Sequence, residues 1–205
     1  MAKNNYVKIV SPEGISQYAW LTQPDTKFDE SGHYKVNLII PTNEANALII
    51  QIDEEMKKSM ATAQESNQGK TIKAANAPYD AEIVDGKPSG NTIFKFKRKA
   101  QIIAKDGKVI PFKVALFDSA GVPLKDVNVW SGSKMKASAE LVHWFTAMAG
   151  AGVSLRLRAV QVTELVEGTS GNKAEGFGFN EVKGGYKAEE TTEDVQPQTE
   201  NKADF

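Results

Sequence analysis

The chain has 205 residues, 40% of them hydrophobic and 25% charged, with a net charge of −1 and no cysteine. That composition suits one globular domain with extras, and it excludes a disulfide framework, a thiolate zinc site and a cysteine nucleophile. No run approaches the ~18 apolar residues that span a bilayer, and the N-terminal MAKNNYVKIV lacks the long apolar segment of a signal peptide, so a cytoplasmic location without membrane contact is expected.

The small net charge hides a division. Residues 1–163 carry 21 Lys and Arg against 16 Asp and Glu, whereas residues 164–205 carry 4 against 10. A basic body with an acidic tail points to nucleic acid and to an interaction tail. A solvated surface with an incidental polar terminus accounts for the same numbers, so charge alone does not choose.

In chain order, residues 6–10 (YVKIV) and 18–21 (YAWL) read as short strands separated by the turn-like Ser11-Pro12-Glu13-Gly14. Residues 23–32 are polar, with turn signals at Pro24-Asp25 and Ser31-Gly32. Residues 34–40 then alternate, with Tyr34, Val36, Leu38 and Ile40 on one face and Lys35, Asn37 and Ile39 on the other. Pro41 ends that strand. Thr42-Asn43-Glu44 starts a helix, with capping side chains and an acid in the first turn. Leu48, Ile49, Ile52, Met56 and Met60 give it one apolar stripe to about Ala63, opposite a solvated face that includes Asp53, Glu54, Glu55, Lys57 and Lys58. The helix is expected to pack as a lid on a sheet.

Residues 65–90 are polar and aperiodic, an excursion with at most a short strand near 82–84. Next comes the most heavily basic stretch, residues 92–114 (TIFKFKRKAQIIAKDGKVIPFKV), where Asp106-Gly107 between two β-patterned runs predicts a hairpin whose two turn positions both need φ > 0. Residues 114–118 and 127–130 read as short strands. Residues 134–142 (KMKASAELV) put Met135, Ala137, Ala139 and Leu141 on one face, with Lys134, Lys136, Ser138 and Glu140 on the other. His143-Trp144-Phe145 forms a turn-like connection. The last strand, residues 153–162, places Val153, Leu155, Leu157 and Ala159 inward and Ser154, Arg156 and Arg158 outward.

Many short strands with one helix make the fold class mainly β, as a closed antiparallel barrel or a sandwich. From Gly168 the polar, glycine-rich and then acidic composition cannot bury enough apolar surface to order itself. The expected organisation is therefore a folded domain over residues 1–167 and a flexible acidic tail over 168–205.

Catalytic signals are missing. His33 and His143 stand in no metal-ligand spacing, there is no G-x-x-x-x-G-K-[ST] or G-x-S-x-G, and the Glu54/Glu55 pair falls on the solvated helix face. Neither enzymatic activity nor a cofactor or metal is expected. Binding of a single nucleic-acid strand explains more, because such sites line the backbone path with Lys and Arg and stack bases on aromatic rings. The outward cations are Lys35, Lys95, Lys97, Lys99, Lys134, Lys136, Arg156 and Arg158, and they form one band if their strands are neighbours. Alternation sets Phe94 and Phe96 opposite Lys95, Lys97 and Lys99, so these rings, like Tyr34, belong to the core. Trp20 and Trp130 read as structural. Trp144 and Phe145 are the candidate stacking rings.

These stretches resemble the replicative single-stranded DNA-binding proteins of podovirus-type tailed bacteriophages. The likeness lies in residues 34–41 (YKVNLIIP), 92–97 (TIFKFK), 117–127 (FDSAGVPLKDV) and 132–165, and in an acidic tail ending Asp204-Phe205. The resemblance implies an OB-fold, a closed five-stranded antiparallel barrel with one capping helix and a disordered acidic C-terminal tail. It implies sequence-independent coating and protection of single-stranded DNA in phage replication and recombination, inside the infected host cell. It further implies a stacking aromatic at the position of Trp144 or Phe145, homodimers, and a tail that recruits the phage DNA polymerase and helicase-primase. The tail residues that would carry this are Glu189, Glu190, Glu193, Asp194, Asp204 and Phe205. Two other readings remain, an adaptor that acts through its acidic tail and an RNA-binding barrel.

Overall fold

Two strand periods and one helical stripe account for the architecture. The computed structural model describes residues 6–125 and 127–166; the acidic tail, including Glu189, Glu190, Glu193, Asp194, Asp204 and Phe205, lies outside the described residues. In chain order the elements are β1 (Val7–Val10), β2 (Gly14–Asp25), β3 (His33–Pro41), α1 (Thr42–Ser66), β4 (Tyr79–Val84), β5 (Lys87–Lys99), β6 (Gln101–Ile103), β7 (Val109–Pro111), β8 (Ala115–Phe117), β9 (Lys134–Thr146) and β10 (Gly150–Glu164). The fold is mainly β with one helix.

Five strands pair in a circuit. β9 meets β2, β2 meets β3 and β3 meets β5, all antiparallel. β5 then meets β10 in parallel, and β10 returns antiparallel to β9. The parallel contact departs from the all-antiparallel expectation. It is accommodated because the 50 residues between β5 and β10 leave ample chain to return in the same direction. β1 extends the sheet beside β9, β4 beside β5, and β8 beside β10.

Inside the circuit lie Val36, Leu38 and Ile40 from β3, Phe94 and Phe96 from β5, Met135, Ala137, Ala139 and Leu141 from β9, and Leu155, Leu157 and Val160 from β10. Phe94 and Phe96 are fully buried, as alternation predicts, and each contributes on the order of 2–3 kcal/mol by leaving water. On β10 the expected alternation slips. A bulge between Leu157 and Ala159 leaves Arg158 unpaired, so Val160 rather than Ala159 takes the buried place.

Helix α1 packs chiefly on β9 and β10. Its buried face runs through Ala45, Leu48, Ile52, Glu55, Ser59 and Ala63, rotated from the predicted stripe so that Ile49, Met56 and Met60 sit at the margin. Glu55 is therefore not on the solvated face. It is buried because His143 (2.8 Å) and Lys58 (2.6 Å) satisfy its carboxylate. The predicted side-chain cap is also absent: Pro41 is the N-cap, and the Thr42 hydroxyl bonds that of Thr92 at 2.9 Å instead.

The two-residue Asp-Gly turn predicted at Asp106-Gly107 forms instead at Asp85-Gly86. At Asp85-Gly86 both residues have positive φ (50° and 75°), making the two-residue turn that joins β4 to β5. Alternation is weak there, so the sequence reads that segment as loop. At Asp106-Gly107 only the glycine has positive φ (80°); its amide donates to the Ala104 carbonyl, a longer turn that joins β6 to β7. Residues 127–130 form no strand; that segment runs beside β2, with the Ser16 hydroxyl donating to the Trp130 carbonyl at 3.3 Å. Trp20 and Trp130, expected to be structural, are 43% and 53% exposed. A register irregularity between Gln17 and Trp20 shifts the parity of β2, so Leu21 takes the core position and Trp20 faces outward.

Candidate functional site

The parallel contact sets the geometry of the site. Lys35 on β3 is the Cα partner of Lys97 on β5, and Lys97 is the partner of Arg156 on β10. All three lie on the outer faces of their strands, because Tyr34, Val36, Phe96, Leu155 and Leu157 are buried beside them. Beyond this row the surface opens into a cleft of about 500 Å³ lined by His33, Lys97, Arg98, Lys99, Ile102, Phe112, Val142, Ser154, Arg156 and Arg158. Five of these lining side chains are cationic and none is a carboxylate. A smaller depression of about 200 Å³ shares His33 and Lys97 with it and adds Asp25, Phe28, Asp29 and Lys35.

Like charges this close repel, and one acid beneath them offsets part of the cost. Glu140 is buried on β9, where its Oε2 accepts from Arg156 (2.6 and 3.0 Å) and its Oε1 from Arg158 (2.7 Å). The bulge at Arg158 fits this arrangement, since it leaves that residue outside the ladder. Burial pushes the Glu140 carboxyl up, but the two guanidinium groups more than offset it and hold it below its ordinary 4.5. Arg156 also lies over the Tyr6 ring at 4.3 Å, and Arg98 over the Phe112 ring at 4.5 Å. Burial, then Arg158 and Arg156, lower the Arg98 pKa from its ordinary value, with Glu140 opposing. Its Nε is buried without a hydrogen-bond partner.

The predicted cations do not form one band. Lys35, Lys97, Lys99, Arg156 and Arg158 converge on the cleft and the depression beside it. Lys35 is held by half-buried Asp25, whose carboxyl this contact lowers below 3.8. Lys95 points toward β4 and pairs with Asp80. Lys134 and Lys136 lie toward the far end of β9, where Lys134 pairs with Glu164 at 2.5 Å and Lys136 is the partner of Gln161. Four residues of strand separate Lys136 from Glu140, about 14 Å at the strand's rise.

His143-Trp144-Phe145 is not a turn but the paired end of β9; Trp144 shares a strand face with Val142 at the cleft edge and lies two residues, about 7 Å, further along the strand. It is half-buried across from Gly152, where any Cβ would come within 2.9 Å of the indole. Phe145, 39% exposed, faces the other way, and both residues line a depression beneath the C-terminal half of α1.

Phe28, His33 and Glu140 complete the site without having been singled out; Arg98 and Phe112 belong to the basic stretch 92–114, where the sequence leaves Phe112 open as a stacking ring and does not assign Arg98 to the site. Arg98 shares its parity with Phe94 and Phe96, so alternation assigns it inward; it reaches the cleft because β5 ends one residue later, at Lys99. Among the described residues no cluster of His, Asp and Glu could hold a metal ion, and no helix is long and apolar enough to cross a membrane.

A mainly β protein with a cationic, aromatic-edged cleft is the class that fold and site define. The family model for the single-stranded DNA-binding protein of bacteriophage T7 matches residues 13–165, and the chain belongs to that family. Among solved structures it is similar to gp2.5, a single-stranded DNA-binding protein encoded by bacteriophage T7, at 26% identity and a TM-score of 0.68, covering 90% of this chain and 100% of that one. It is also similar in fold to the single-stranded DNA-binding protein of bacteriophage Enc34 in complex with single-stranded DNA, at 14% identity and a TM-score of 0.58, covering 80% and 89%. No curated protein matches the chain significantly.

The Glu140 clamp makes a prediction about pH. A carboxyl whose folded pKa is lowered adds stability that is present above its unfolded value and lost as pH falls through the folded one. Glu140→Gln should therefore lower stability at neutral pH by about 1.5–3 kcal/mol, the range for hydrogen bonds to charged groups. The gap from wild type, measured by denaturant unfolding, should narrow as pH drops below 4.5.

Proposed function

We propose that this protein is a non-catalytic, sequence-independent single-stranded DNA-binding protein that coats DNA during phage replication in the host cytoplasm. The observation that carries the reading is the cleft itself. Lys97, Arg98, Lys99, Arg156 and Arg158 converge there beside the buried acid Glu140 and the ring of Phe112, with Trp144 further along β9. Family membership and the likeness to gp2.5 support it. In this reading the five-strand circuit is an OB-fold barrel with α1 as its cap, the cleft cations neutralise phosphates, and Trp144 or Phe145 meets a base. Lys95, Lys134 and Lys136 then lie along the approaches of the strand rather than at its centre.

We assign residues 168–205 to an acidic tail that recruits the polymerase and helicase-primase, in a protein that dimerises. Its support is the reversal of charge along the chain.

Two measurements test these statements. Titration of oligo-dT should give an affinity that falls linearly with salt on logarithmic axes, with a slope of about −0.7 per phosphate neutralised. Lys97→Ala should flatten that slope by about 0.7, and a preference for duplex over oligo-dT would contradict the reading. Deleting residues 189–205 should leave DNA affinity equal or higher and abolish polymerase binding in a pull-down. Unchanged polymerase binding would remove the tail from recruitment.

A further inference from the structure

The row of cations does not end at Lys35. The Cα partner of Lys35 on β2 is Trp20, so Trp20, Lys35, Lys97 and Arg156 stand in register across β2, β3, β5 and β10. Three inter-strand steps of about 4.8 Å make this row about 14 Å long. Trp20 shares the outer face of the row, because Leu21, its neighbour in sequence, fills the core. An indole left 43% exposed in line with three cations has no structural purpose that its neighbours reveal, since the core beneath is filled by Leu21, Tyr34 and Val36. A second ring flanks the same cations: Phe28, 87% exposed in the β2–β3 loop, lines the depression with Lys35 and Lys97.

We propose that Trp20 stacks a base of bound single-stranded DNA and marks the far end of a path that crosses β10, β5, β3 and β2. Phosphates follow Arg156, Lys97 and Lys35, and Phe28 borders the exit. The charge pattern selects the ligand. A ring in register with a line of cations matches a chain that alternates anionic groups with flat apolar faces, which a single nucleic-acid strand does and an acidic protein segment does not. The assignment rests on the single-stranded DNA reading above and adds a contact on the opposite side of the cleft from Trp144.

The three tryptophans, Trp20, Trp130 and Trp144, make the test direct. Oligo-dT binding is followed by anisotropy of a labelled strand and, separately, by quenching of the protein's own fluorescence. Trp20→Ala should weaken binding about 5- to 150-fold, the range for loss of one stacked base. Trp20→Phe keeps a stacking ring, so it should retain affinity within a few-fold while losing a large share of the quenching. Trp130→Phe, which alters a ring outside the row, should change affinity little. If Trp20→Ala binds as tightly as wild type while wild type binds with the expected salt slope, the assignment of Trp20 is wrong and the function stands. Should Trp20→Ala fail to fold, undiminished quenching in Trp20→Phe overturns the assignment just as well. If wild type does not bind oligo-dT, the functional reading itself falls.

Discussion

Two residue pairs join β10 to β5 in parallel, Leu155 with Phe96 and Arg156 with Lys97. The first pair is buried and completes the circuit of five strands; the second faces outward and brings two cations side by side. Core and site are thus two faces of one short contact. Substitutions that loosen the Phe96–Leu155 packing act on the cleft as well, because the same backbone carries Lys97 and Arg156.

That contact places like charges together, and the surrounding structure manages the repulsion unevenly. Arg156 and Arg158 share Glu140, and Lys35 holds Asp25, while Lys97 and Lys99 line the cleft with no carboxylate among its walls. A partly compensated cationic surface stores free energy that a polyanion releases on binding. The protein should accordingly be more stable with its ligand than without it. Glu140 also fixes where two guanidinium groups point. A long side chain held this way loses less entropy when it meets a phosphate than a free lysine does.

How much of this was legible in the sequence depended on whether one strand period decided the matter. The core faces of β3, β5 and β9 follow a clean period of two, and Tyr34, Val36, Phe94, Phe96 and Met135 were readable from it. Where a bulge changes parity, the same rule misled: Ala159 and Val160 exchange places, and Trp20 looks structural when it faces outward. Arg98 was hidden because alternation ignores where a strand ends. Glu55 was misplaced because helical periodicity cannot see His143, which is 88 residues away and supplies the partner that makes burial tolerable. The two Asp-Gly turns show the same limit, since identical dipeptides took different conformations according to the strands they join.

The central claim is that a single strand crosses the outer faces of β10, β5, β3 and β2. Mapping amide and indole NMR shifts during titration with oligo-dT tests it most directly. The account predicts the largest perturbations at Arg156, Lys97, Lys35 and the indole N–H of Trp20, with the solvent face of α1 and the β4–β5 turn unmoved. Perturbations confined to α1 and β4, with that row silent, would contradict it.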